Sequence, residues 1–310
     1  MLDPTELYRF ETDGDPDAAD AAVLVVALGG FVDAGHTQGV LTRHLLATHL
    51  STVVASFDID QLLDYRGRRP AMVFDRDRWV AYADPSLLLH RVVDRSGQPF
   101  LLLAGEEPDY QWERVTAAII GLVRRFGVRL TVSVHGIPMA VPHTRPLGLT
   151  GHATDPRLVA AYEPAFGKVQ VPGSLPSLLE LRLGKAGHDA MGFAVHVPHY
   201  LAQAEYAGAA LTGLDALTTA TGLNLARTDL EQLAESNRAQ VARELEDAEE
   251  VRGVVAALEQ QYDAFMHSRE RPSLLATDVS MLPSAEEIGA EFEAFLKDVS
   301  DDDGSGGQQG

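Results

Sequence analysis

The unbroken apolar run Val23-Leu24-Val25-Val26-Ala27-Leu28 constrains this chain more than any other feature. A strand with one face in water alternates polar and apolar residues. A run without alternation is buried on both faces, as in a parallel sheet covered by helices on each side. The run stops at Gly29-Gly30, and Asp33 stands where a helix N-cap would, ahead of residues 34–49 read as a helix. Residues 52–57 form the next strand-like run. Strand, glycine turn, helix and strand make the opening unit of a layered α/β domain.

The rest of the chain continues that alternation as far as about residue 223. Short β-type runs at 71–74, 79–83 and 87–93 are separated by Asp75-Arg76-Asp77, a tight-turn candidate, and by loops. Residues 100–104 read as another buried strand. Trp112, Val115, Ile119, Leu122 and Phe126 share one helical stripe that ends at Gly127. Strands are expected at 130–134 and 193–197, and helices at 175–183 and 200–217. Residues 1–223 therefore form the expected α/β core.

From Asn224 the pattern is helical throughout, with a stripe from Leu230 through Val241 and Leu258 to Phe265 that Gly253 could break in two. A capping-box sequence at Ser284-Ala285-Glu286-Glu287 opens a last helix. Residues 224–300 are expected to be an acidic α-helical module, and 301–310 a disordered tail. The stripe needs an apolar partner, which is either the core or another subunit; a homo-oligomer is expected.

Charge narrows the classes of function. The sequence has 25 Lys+Arg against 45 Asp+Glu, a formal charge of −20. So acidic a chain repels phosphate backbones and anionic bilayers, which argues against nucleic-acid and membrane partners. No apolar run reaches the ~18 residues of a membrane span. The start, Met1-Leu2-Asp3-Pro4, lacks the basic-then-apolar pattern of a signal peptide, so a cytoplasmic protein is expected. With no cysteine, thiolate catalysis, disulfides and zinc–cysteine sites are excluded together.

Three stretches combine tight backbone with polar side chains. Gly29, Gly30 and Asp33 lie at the carboxyl end of the first core strand, where open α/β sheets bind ligands; the competing reading is a glycine turn with Asp33 as a cap. In the second stretch, Gly136, His143, Thr144 and Arg145 belong to a proline-rich segment read as a stiff loop. Arg145 and His143 could hold an anion there, or Arg145 could pair with an acidic neighbour. The third holds His196 and His199, which are separated by a proline and share no helical face. Packed histidines are expected rather than a metal site. No GxSxG elbow, P-loop or dinucleotide fingerprint occurs, and no cofactor is indicated.

The segment from Gly136 through Val141-Pro142-His143-Thr144-Arg145-Pro146, with Val171-Pro172-Gly173-Ser174 and the stretch from Asp189 to Tyr200, resembles the actinobacterial branch of the proteasome assembly chaperone superfamily, the branch related to the second chaperone subunit. Residues 29–35, Leu258 to Asp263 and Leu282-Pro283-Ser284 fit as well. The resemblance implies a three-layer α/β/α core similar to purine nucleoside phosphorylases, with a C-terminal α-helical extension. It also implies a chaperone-like, protein-binding role without established catalysis, with proteasome subunits as a possible partner and a homotrimer favoured. The alternative is a phosphorylase- or hydrolase-like enzyme acting on a small anionic or nucleoside-like ligand. Gln308-Gln309-Gly310 is not the hydrophobic-Tyr-X ending of proteasome-docking members, and Met191 is followed by Gly192, not by the glutamate of a ribose-binding pair.

Overall fold

In the computed structural model, residues 2–11, 20–30, 32–162, 164, 166–246 and 249–269 are described. The strands are β1 (Tyr8–Phe10), β2 (Val23–Gly29), β3 (Leu50–Phe57), β4 (Met72–Asp75), β5 (Arg78–Tyr82), β6 (Leu87–Val93), β7 (Pro99–Glu106), β8 (Leu130–Met139), β9 (Leu149–Ala153) and β10 (Asp189–Pro198). The helices are α1 (Thr37–Thr48), α2 (Trp112–Arg125), α3 (Leu175–Lys185), α4 (Ala207–Thr221), α5 (Thr228–Glu246) and α6 (Glu249–Arg269). Contacts divide the chain into one compact unit, Met1–Tyr262, and a second, Asp263–Gly310.

Eight strands form one sheet in the order β1-β3-β6-β7-β2-β8-β10-β9. Its centre, β7-β2-β8-β10, is parallel, while β6, β3 and β1 on one side and β9 on the other pair antiparallel. The apolar run of β2 lies in the middle and divides by pleat. Val23, Val25 and Ala27 enter a core with Val40, Leu41 and Leu45 of α1 and Leu214 and Leu217 of α4. Leu24, Val26 and Leu28 enter the opposite core, with Ile119 and Leu122 of α2 and Leu179 and Leu183 of α3. The result is a three-layer α/β/α core. Each fully buried leucine contributes roughly 1.5–3 kcal/mol over its exposed state.

Local signals set several boundaries. Gly127 takes the left-handed conformation (φ 64°) after α2, and Val128 donates back to the Val123 carbonyl at 3.0 Å, which closes the helix in a Schellman turn. Ser174 caps α3 by accepting the Ser177 amide, with Pro176 in the first turn. Asp75-Arg76-Asp77 is the turn between β4 and β5; Arg76 has φ 56° and the Asp77 amide donates to the Asp75 carbonyl.

Three elements differ from the sequence expectation. The first helix begins at Thr37, because residues 34–36 form a 3-10 turn with Gly35 at φ 69° and His36 at φ 49°. That turn is drawn out of the helix by two bonds to the segment before α4, Gly35 N–H to Ala202 O and Tyr206 N–H to Gly35 O, each 2.9 Å. The same bonds delay α4, which starts at Ala207 and not at Tyr200. Residues 135–139 are not loop but the far half of β8, held by a parallel ladder with β10 that runs to the pair Met139 and Pro198.

Part of the helical stripe after Asn224 is covered by its own chain, while Leu233 and Phe265 are exposed. Leu230 and Ala234 of α5 belong to the core shared with α4, and Asn237 accepts the Ala207 amide at 2.9 Å. Gly253 lies inside α6, so it is not a break. The helix expected from Ser284 and the tail from Asp301 lie outside the described residues. Among the described residues, no helix is long and apolar enough to cross a membrane.

Candidate functional site

Strands β2 and β8 pair from Val23 and Leu130 only as far as Val26 and Ser133, and then part. The helix after β2 packs on one face of the sheet and the helix before β10 on the other, so the parting falls at a topological switch point at the carboxyl ends of the strands. A cavity of about 260 Å³ opens there. Its walls are the ends of β2 and β8 (Leu28, Gly30, Ser133, His135, Ile137), with Gln38 of α1, Glu107 after β7, His152 of β9 and residues 171–174, 176 and 177 at the start of α3.

The polar groups at this site have distinct settings. Glu107 is buried, and its Oε1 accepts the Leu175 amide at 2.6 Å, at the N-terminus of α3, where the helix dipole favours a carboxylate. A Cβ on Gly30 would lie 2.3 Å from Glu107 Oε2, so only glycine lets this carboxylate sit there. Burial, with a smaller push from the neighbouring His152, lowers the His135 pKa to about 4, so its imidazole is neutral near neutral pH. His152 Nδ1 is 2.8 Å from Glu180 Oε2 on α3. Among the described residues no Arg or Lys lines the cavity.

The expected site residues divide into groups. Gly30 lines the cavity. Gly29 ends β2 directly before it, with its carbonyl accepting the Glu107 amide at 3.1 Å. Asp33 does not line it; its carboxylate accepts the amides of Gln38 (2.9 Å), Gly39 (3.4 Å) and Gly136 (3.4 Å), joining the start of α1 to β8. Burial raises the Asp33 pKa, against the opposing pull of those amides. Gly136 faces this turn without lining the cavity.

His143, Thr144, Arg145, His196 and His199 also lie away from the cavity. His143 Nδ1 is 2.7 Å from the Tyr200 hydroxyl, which also accepts the His143 backbone amide at 2.9 Å, and the His199 ring packs edge-on against Tyr200. The Thr144 hydroxyl donates to Glu259 of α6, and Arg145 pairs with the same carboxylate at 3.4 Å. His196 is bonded to Thr150 on β9. Sequence reasoning missed Gln38, Ser133 and Glu107. Glu107 was visible only as half of an acidic pair in an acidic chain, and nothing in the spacing of Gln38 and Ser133 brings them together before the sheet is built.

A family model described as PAC2 family matches residues 27–245. A protein of unknown function from Mycobacterium tuberculosis has a similar structure, with 43% sequence identity and a TM-score of 0.82, covering 85% of this chain and 91% of that one. A protein of unknown function from Corynebacterium glutamicum is 37% identical, with a TM-score of 0.78 over 86% of this chain and 99% of that one. The proteasome-assembly chaperone homologue of M. tuberculosis shares the fold at 21% identity and a TM-score of 0.68, covering 76% of this chain and 99% of that one. No curated protein sequence matches the chain.

Proposed function

This chain belongs to the PAC2 family, and from that membership we propose that it is a proteasome-assembly-chaperone-like protein, binding a protein partner without catalysis of its own. The observation that carries this reading is the β4–β5 hairpin. Every residue of both strands is exposed, including Met72, Val73, Phe74, Trp79, Val80 and Tyr82. An isolated two-stranded hairpin is at best marginally stable in water, and an apolar patch on one is characteristic of a surface that a partner covers. Phe74 and Trp79 pack edge to face, 5.0 Å between ring centroids, so the anchors are preorganised.

Membership of the PAC2 family, and the fold shared with the M. tuberculosis proteasome-assembly chaperone homologue, support the choice of partner class. Proteasome subunits are the proposed partner, a homotrimer the proposed assembly and the cytoplasm the proposed location. The test mixes the purified chain with separately purified proteasome α and β subunits from an actinobacterium and follows assembly on native gels. Co-migration with a subunit or an assembly intermediate is expected, and loss of it in the double variant Phe74→Ser, Trp79→Ser at unchanged melting temperature. No co-migration with either subunit would overturn the partner assignment; retention in the double variant would overturn the hairpin's role.

A further inference from the structure

We infer that the cleft between β2 and β8 is a binding site for a small uncharged molecule that carries a carboxamide-type edge, a donor beside an acceptor, on an apolar ring. The inference starts from Gln38. It is only 5% exposed and lines the cavity, yet among the described residues its side-chain amide has no hydrogen-bond partner. Among the described residues the fully buried side-chain atoms without a partner are Thr116 Oγ1 and Thr131 Oγ1, so the Gln38 amide is reached by solvent through the cavity and can exchange that water for the polar edge of a ligand. The donor and acceptor of Gln38 together complement another amide through two parallel bonds.

Gln38 is not alone. The His135 imidazole and the Ser133 hydroxyl line the same space without a hydrogen bond to any described residue. Neutral imidazole offers one donor and one acceptor, and a hydroxyl offers both, so the wall is set for a ligand with mixed polarity on one edge. Leu28, Val32, Ile137 and Pro172 supply apolar walls for the remainder. The volume, about 260 Å³, stands near the small end of ligand cavities, roughly 300 Å³.

Charge decides against anions. The Glu107 carboxylate is in the wall, the N-terminus of α3 is already answered by it, and no cation lines the space among the described residues. A carboxylate or phosphate ligand would be desolvated against a like charge, with nothing to compensate it.

Matched amide and acid pairs test this without knowing the natural ligand. Benzamide and nicotinamide, against benzoate and nicotinate, are offered to the full chain at millimolar concentration and bound ligand is detected by saturation-transfer NMR. Both amides are expected to bind and to compete with each other, and both acids to give no signal. Gln38→Leu is expected to weaken amide binding at least about tenfold. Should that variant not fold, the amide-versus-acid comparison in the unaltered chain decides alone. Acids binding as well as amides, no amide signal, or full binding by folded Gln38→Leu would each overturn the inference. So would benzylamine binding more tightly than benzamide, since Glu107 would then select the ligand. The double hairpin variant should keep amide binding, which separates this site from the protein-binding surface.

Discussion

Gly136 faces the carbonyl of Ala34 so closely that a Cβ on it would lie 2.0 Å from that oxygen, and 2.5 Å from the Thr37 hydroxyl. The obstacle is backbone, held by the bonds of residues 34–36 to the segment before α4. It cannot swing aside as a flexible side chain would. Gly136→Ala is expected to cost about 2–3 kcal/mol in urea unfolding. Gly121, on the exposed face of α2 with nothing within 4 Å of where a methyl would sit, gives the contrast. Gly121→Ala should stabilise by about 0.5–1 kcal/mol. Equal effects at the two sites would contradict the packing described.

His135 links the cavity to pH. Its pKa falls from 6.5 to about 4 in the folded chain, chiefly through burial. Between those values the unfolded chain binds a proton that the folded one refuses. Stability is therefore lost as pH drops through that window, by about 3–3.5 kcal/mol, and this contribution is flat below it. His135→Asn should flatten the stability profile in that interval; an unchanged slope would place the acid sensitivity elsewhere.

Asp33 has the opposite sign. Its carboxyl is raised above 3.8 by burial, so the folded chain holds this proton longer than the unfolded one. The contribution is present below the unfolded pKa and is lost as pH rises through the folded value. Asp33→Asn, which cannot ionise, should therefore gain on the parent chain as pH rises from acid to neutral. Urea midpoints of the two proteins across that range measure it: the midpoint of Asp33→Asn minus that of the parent chain is expected to rise with pH, and a constant difference would contradict the raised carboxyl.

How legible all this was in the sequence depends on distance along the chain. The pleat of β2, the stripe of α2 and the glycine stop at Gly127 are local, and each could be read from its neighbours. The 3-10 turn at residues 34–36 could not, because its cause is a pair of bonds to Ala202 and Tyr206. Asp33 was legible as a cap, although it acts from outside the helix and also reaches Gly136. The cleft was legible as the carboxyl end of β2. Its far wall was not, since His135 lies in a stretch that prolines made look like a loop, and only the β10 ladder keeps it extended.

Glu259 ties α6 to the loop after β8 through Thr144 and Arg145, and Tyr262 adds a bond to the Pro146 carbonyl at 3.1 Å. These side chains are partly exposed, so Glu259→Gln should lower global stability by less than about 1 kcal/mol. Local opening is another matter: amide exchange at residues 140–148 should accelerate severalfold while the core is unaffected. Unchanged exchange in that loop would show that the contacts carry no load.

The two tryptophans report on different places. Trp79 is 63% exposed on the hairpin, whereas the Trp112 indole donates to the Pro108 carbonyl at 2.6 Å at the start of α2. Acrylamide should quench Trp79 readily in the Trp112→Phe variant. Adding the proposed proteasome-subunit partner should protect it, and quenching that persists in a complex would exclude the hairpin from the interface.

The parting of β2 from β8 after Val26 and Ser133 has a consequence for how such a chain can vary. The cleft opens where two strands stop pairing, with the turn at residues 34–36 packed against β8 at Gly136. Extending the ladder by another two pairs, Ala27 to Val134 and Leu28 to His135, would draw the walls together without altering one lining residue. The cleft can thus be lost by a shift in backbone pairing alone, and a relative that keeps Gln38, Ser133 and His135 need not keep the space between them.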